Sequence, residues 1–199
     1  MESQKMGISR SSYTRQDIAA LEQGVEHIRA HFQTVLGEDL KPLDARIRTL
    51  PLSEFPSILG GPEVESVGVY IPILGDVQGQ LMLIATCHDA VRLLDDFQLR
   101  ADVLPGELDA FDQLRLAEIS AGLGNAFVEQ VKRITRREMY LSAPVVMLDM
   151  AGSILDLAVM KLCQGLELVL ALEFSLVHSV QNHVYTVWLI PDLVDGVMR

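Results

Sequence analysis

Two features of this 199-residue chain have residue types and spacings suited to chemistry. One is the histidine pair His27 and His31. The other is a helical face carrying Glu118, Ala121, Asn125, Glu129 and Lys132. An i, i+4 histidine pair can hold a divalent metal from one side of a helix. No carboxylate or cysteine completes that set at a matching spacing, so the pair reads as solvated. Glu118, taken alone, is an ordinary surface acid on an amphipathic helix. Asn125 sits mid-helix, where asparagine is mildly unfavourable, and a surface or packing contact explains it as readily as chemistry does. The run Gly122-Leu123-Gly124-Asn125 lies inside the helix rather than after a strand, which excludes a phosphate cradle. His178 and His183 flank a turn and read as surface residues. No nucleophile stands beside a base at triad spacing. Cys87 and Cys163 lie in apolar surroundings and read as reduced, packed thiols.

The elements that position these residues recur. Thr14 with Asp17 resembles a helix start, and Ile18, Leu21, Val25, Ile28, Phe32 and Val35 then follow at steps of three and four up to Gly37. A strand over 44–50 leads into a turn-rich insert, 51–62, anchored by Phe55, Ile58 and Leu59. Strands over 67–74 and 80–86, joined by Gly75-Asp-Val-Gln-Gly79, form an antiparallel hairpin. A helix over 88–99 and a hinge over 102–107, marked by Pro105-Gly106, close the first half. The second half repeats the order. Its long helix, 107–134, has the apolar stripe Leu116, Ile119, Leu123, Phe127 and Ile134. A strand over 140–149, a helix over 151–162 and a hairpin of 167–176 with 183–190 follow.

At an offset of 99 residues, Ala19 to Leu50 lies over Glu118 to Asp149 in order. Duplicated architecture often carries duplicated sites. The expected fold is α+β, a single domain over 1–199 with internal repeats of about 15–100 and 107–192. Antiparallel strands of both halves share one sheet, flanked by helices, about a pseudo-twofold axis.

Composition removes several function classes. The net charge of −11 argues against a nucleic-acid partner, because phosphate binding needs clustered Lys and Arg. Lys132, Arg133, Arg136 and Arg137 do cluster, but at a helix end, where cations complement the dipole. No run of eighteen uncharged apolar residues exists, so membrane insertion is not expected. The first residues lack a secretion signal, and the two cysteines are read as reduced; both point to the cytoplasm.

In several stretches the chain resembles the CheC family, with its relatives CheX and FliY. The first half carries the likeness in Pro51-Leu-Ser-Glu-Phe-Pro-Ser-Ile-Leu-Gly-Gly-Pro62, Val67-Gly-Val-Tyr70 and Gly75-Asp-Val-Gln-Gly79. The second half carries it in Leu148-Asp-Met-Ala-Gly-Ser-Ile-Leu-Asp156 and Trp188-Leu-Ile-Pro-Asp192. The resemblance covers about residues 15–192 and implies a CheC-like repeat of helix–strand–helix–hairpin halves.

It also implies a hydrolase that removes the aspartyl phosphate of the chemotaxis response regulator CheY. The family motif is Glu, two residues, Asn, twenty-two residues, Pro, with Asp or Ser often four before the Glu. In-line attack of water on a phosphoryl group depends on positioning and charge complementarity. An amide can hold the water, and a carboxylate one turn away can anchor a lysine of the receiver. On this sequence the motif falls on Glu118, on Ala121 where the amide belongs, and on Pro144, with Leu114 upstream. Ala121 and Gly122 leave bare surface that Asn125, one turn along, is placed to fill as a substitute amide. In the first half the corresponding residues are Ala19, Glu22 and Ala45, which describes a lost site. Two readings therefore stand: a receiver-binding phosphatase, or a non-catalytic adaptor for a phosphorylated CheY-like receiver or for CheD. The expected partners are that receiver, CheD and a second copy in a homodimer. No cofactor of its own is expected, any Mg2+ arriving with the receiver.

Overall fold

The structure is a computed structural model and describes residues 30, 40–76, 79–96, 108–162, 168–178 and 184–193. Strands β1 (Leu40–Pro51), β2 (Glu65–Gly75), β3 (Gly79–Thr86), β4 (Met139–Leu141), β5 (Val145–Met150), β6 (Leu168–His178) and β7 (Val184–Leu193) form one sheet. A 3-10 turn, Leu52–Glu54, leads into the short helix α1 (Phe55–Ile58), followed in chain order by α2 (Cys87–Asp96), α3 (Ala110–Thr135) and α4 (Ala151–Leu162). The sheet order is β1-β6-β7-β3-β2, with β4 and β5 both paired to β2, and every pairing is antiparallel.

The halves exchange strands reciprocally. β1 of the first half pairs with β6 of the second, while β5 of the second pairs with β2 of the first. β3 and β7, one from each hairpin, join the two.

β3 runs through the middle, and Leu81, Met82, Leu83 and Ile84 are all buried, so both faces of the sheet must be covered. On one face Leu123, Phe127, Val128 and Val131 of α3 pack on Val69, Ile71, Leu81 and Leu83. On the other, Ile154 and Leu155 of α4 and Phe55 of α1 pack on Met82, Ile84 and Trp188. Phe55 meets the Trp188 ring edge-on, with centroids 5.3 Å apart.

Four sequence expectations need correction. The strand expected over 140–149 is two strands. Ile71 and Pro72 of β2 face three residues, Ser142–Pro144, between the Ile73–Leu141 and Tyr70–Val145 pairs. Proline on each side removes a ladder donor, so the pairing breaks there, and the Ser142 N–H donates to Pro72 O at 2.8 Å. β1 begins at Leu40 rather than Asp44, with a bulge between Pro42 and Asp44. That extension carries the β1–β6 ladder to His178, which lies inside the paired sheet and is buried at 5% exposure, not a surface residue. The helix expected from 88 opens one residue earlier, at Cys87, where Thr86 Oγ1 accepts the Asp89 N–H at 3.1 Å and caps it. Ala19, Glu22, His27, His31, Cys163, His183 and the 102–107 hinge lie outside the described residues.

The buried Gly68 lets α4 approach β2: a Cβ built there would stand 2.6 Å from Ile154 Cγ2. Isoleucine is stiff at χ1, so relief requires moving α4. Gly68→Ala is expected to cost about 1–3 kcal/mol, read as a lowered midpoint in urea unfolding; an unchanged midpoint would show that α4 is free to shift.

Candidate functional site

α3 is set in place at its start by a reciprocal cap. Asp109 Oδ1 accepts the N–H groups of Phe111 and Asp112, each at 2.8 Å, and Asp112 Oδ2 accepts the Asp109 N–H at 3.2 Å. The buried side is Leu116, Leu123 and Phe127, with Ile119 half-buried. Opposite it runs an exposed stripe of Phe111, Leu114, Glu118, Asn125 and Glu129.

One flank of the helix is pressed close to the sheet. A Cβ at Gly124 would lie 2.7 Å from Leu141 Cδ1 and 2.9 Å from Leu81 Cδ2. Glycine here lets the helix backbone sit against β3 and β4, and it marks the flank that looks toward the β4–β5 edge. At about 100° per residue, Ala121 leans to this same flank and is half-buried. Pro144, also half-buried, lies between β4 and β5 at that edge.

Glu118 is open to solvent, its side chain 56% exposed, and Arg115 Nη1 donates to Glu118 Oε2 at 2.8 Å. The Arg115 guanidinium also lies over the Phe111 ring, 4.8 Å from its centroid. Phe111, Arg115 and Glu118 thus form a ladder along consecutive turns. Arg115 Nε is buried without an acceptor. Asn125 is exposed on the same stripe as Glu118, one turn beyond Ala121. The basic cluster is engaged in ending the helix. Lys132 lies 3.5 Å from Glu129 and 3.0 Å from Glu138, and the hydrogen bond to Glu138, with both negative charges, raises its pKa. Arg136 takes the left-handed C-cap position with φ 57°. Among the described residues no group of three or more His, Cys, Asp or Glu could hold a metal, and no helix is long and apolar enough to cross a membrane.

Glu118, Ala121, Gly122 and Asn125 therefore sit along one helical surface, with Pro144 at the edge beside it. Sequence reasoning missed Arg115 as the partner of Glu118 and did not mark Phe111 and Leu114 as exposed apolar groups. The signal was present: both fall on the polar side of the helical period, seven and four residues before Glu118.

No protein-family model matches the chain, and no curated protein matches it by sequence. Its fold, however, is shared by FliY, CheX and FliM–FliG structures. FliY of Thermotoga maritima superposes with a TM-score of 0.68 at 14% identity, over 93% of each chain. One chain of the CheX–CheY–BeF3–Mg2+ complex of Borrelia burgdorferi gives 0.54 at 14% identity, over 88% of this chain and 98% of that one. One chain of the FliG–FliM complex of H. pylori gives 0.63 at 9% identity, over 93% and 98%. The α+β fold with an antiparallel sheet flanked by helices, expected from the CheC, CheX and FliY resemblance, is observed.

Two outcomes follow from this geometry. Asp109→Ala removes the cap of α3 and should cost about 0.5–2 kcal/mol, with amide exchange accelerated first at 111–115; uniform exchange along α3 would contradict the capping role. Cys87 has its pKa raised, chiefly by burial and then by the Glu65 charge. Between the ordinary thiol range near pH 8.5 and the raised value, the native state holds more protons than the unfolded one. Stability therefore falls as pH rises through that window. Alkylation of Cys87 by iodoacetamide at pH 7.5 should be slower than that of an unstructured cysteine peptide, and faster reaction would reveal an activated thiol.

Proposed function

We propose that this chain is a regulator of chemotaxis or related two-component signalling that docks a CheY-like receiver on the exposed stripe of α3, acting in the cytoplasm. The observation that carries this reading is the exposed carboxylate of Glu118 on that stripe. A lysine arriving from a partner competes with Arg115, and an exposed pair of this kind contributes about 0–1 kcal/mol. The exchange therefore costs little. Support also comes from the shared fold with a CheX chain solved in complex with CheY.

The same stripe favours binding over turnover. Hydrolysis of an aspartyl phosphate needs a group that holds the attacking water, and Ala121 and Leu114 present only carbon. A phosphatase is the second reading, favoured by the exposed amide of Asn125 on the same stripe. One turn displaces that amide by about 5.4 Å from the motif position, and a misplacement of 1 Å can cost roughly a hundredfold. Turnover by Asn125 thus requires a receiver seated in a shifted register, bringing its own Mg2+. Docking of CheD rests on the family resemblance alone.

The test uses the CheY-like receivers of the source organism, each purified and phosphorylated by a small-molecule donor, with affinity and phosphate half-life measured in the same preparations. One receiver is expected to bind, with its half-life unchanged and its affinity lowered about tenfold or more by Glu118→Ala. A half-life shortened by the wild type and restored by Asn125→Ala would establish the phosphatase reading instead. Absence of binding by every receiver would overturn both.

A further inference from the structure

Strand β5 is an edge whose one strand partner among the described residues is β2. Native edges are usually blunted by lysine, proline, a bulge or a covering element. β5 reads Val145-Val-Met-Leu-Asp-Met150, with one charge and no proline, and it exposes apolar side chains: Leu148 is 40% and Met150 51% exposed. An edge of this kind is ordinarily covered.

Alternation decides which side of the sheet these groups occupy. Val146 packs against the clusters that contain Leu116 and Leu123 of α3, whereas Met147 packs on the opposite side with the Ile154 cluster. Leu148 and Met150 therefore share the α3 side. The register agrees, since Leu148 faces Val67, which belongs to the same cluster as Leu116. On α3, the flank that carries Gly124 looks toward β4, and Leu114, 54% exposed, leans to that flank from the exposed stripe. Leu114, Leu148 and Met150 thus share the α3 side of the molecule at this edge, with the exposed acid Glu118 beside Leu114 on the helix, whereas Asp149 alternates to the opposite side of the sheet.

Charge selects the occupant. Two copies, each at −11, repel one another. The complement of an apolar corner beside the exposed Glu118, on a chain of net charge −11, is an apolar ridge flanked by lysine or arginine. The geometry points to a two-element docking surface, α3 together with the β5 edge, on which the receiver proposed above seats such a ridge. This inference rests on the receiver-docking reading and adds the strand, Leu114 and the partner's surface chemistry to it.

The test compares Leu148→Ser, Leu114→Ser and Tyr140→Ser in the full chain, against the same purified receivers. Tyr140, 60% exposed and paired with Leu74, projects from the opposite side of the sheet and serves as the control. All three positions are exposed, and thermal melting verifies that each variant folds. Leu148→Ser and Leu114→Ser should each weaken receiver binding about tenfold or more, and Tyr140→Ser less than twofold. Hydrogen exchange of the wild-type complex should show new protection over 145–150. If Leu148→Ser binds like the wild type while Glu118→Ala does not, the helix docks alone; this inference is then overturned and the receiver reading stands. Equal loss in Tyr140→Ser overturns it as non-specific. A wild-type dimer in sedimentation that Leu148→Ser dissociates assigns the corner to a second copy and overturns it as well. Binding by no receiver removes both readings.

Discussion

The need to bury both sides of β3 governs this molecule. Four consecutive buried residues, Leu81 to Ile84, leave no solvated face on that strand. Each burial of a leucine, isoleucine or methionine side chain contributes about 1.5–3 kcal/mol only if a cover exists. α3 covers one side through Leu123 and Phe127, and α1 and α4 cover the other around Phe55 and Trp188. Once Gly124 lets α3 settle against Leu81 and Leu141, the rotation of the helix about its axis is determined. The residues that face water are then a consequence of packing: Leu114, Glu118 and Asn125 are presented because Leu116, Leu123 and Phe127 are not.

The same constraint explains why the electrostatics of α3 are local. Its acids and bases pair along the helix, Arg115 with Glu118 and Lys132 with Glu129, or just past its end, Lys132 with Glu138. Short exposed pairs of this type leave their charges available for exchange, since solvent screening keeps each one weak. A helix of this kind holds a carboxylate at a defined place without committing it to the core.

Much of this was legible from residue spacing. Steps of three and four placed Leu116, Leu123 and Phe127 in the core, and α4 spans the Ala151–Leu162 read from the sequence. What escaped depended on partners distant in sequence. The break between β4 and β5 arises where Pro72 on one side and Pro144 on the other fall in the same short stretch of the ladder, and neither proline alone announces it. The strand partner of His178 is Leu40, 138 residues away, so its place inside the ladder has no local signal. The edge status of β5 is a property of sheet order, which no local pattern encodes. The candidate site divides the same way: the face holding Glu118 and Asn125 is a helical period, whereas the proposed docking corner of Leu114 with Leu148 rests on how the sheet is assembled.

Under the receiver-docking proposal, the residue types on this face also indicate what its binding energy is used for. Catalysis gains only from interactions stronger in the transition state than in the bound ground state. The groups able to make them are donors and acceptors aimed at the attacking water or at developing charge. At Leu114 and Ala121 the family pattern places such groups, and this chain has carbon. Carbon cannot tell a phosphoryl ground state from its transition state, but it does gain from desolvation when a partner covers it. Replacing an amide by a methyl and an acid or hydroxyl by an isobutyl group therefore removes differential stabilisation and adds uniform binding. In the same proposal Glu118 anchors the partner rather than reacting, and that use survives the exchange. Under that proposal, holding a partner is what the remaining side chains of this surface support.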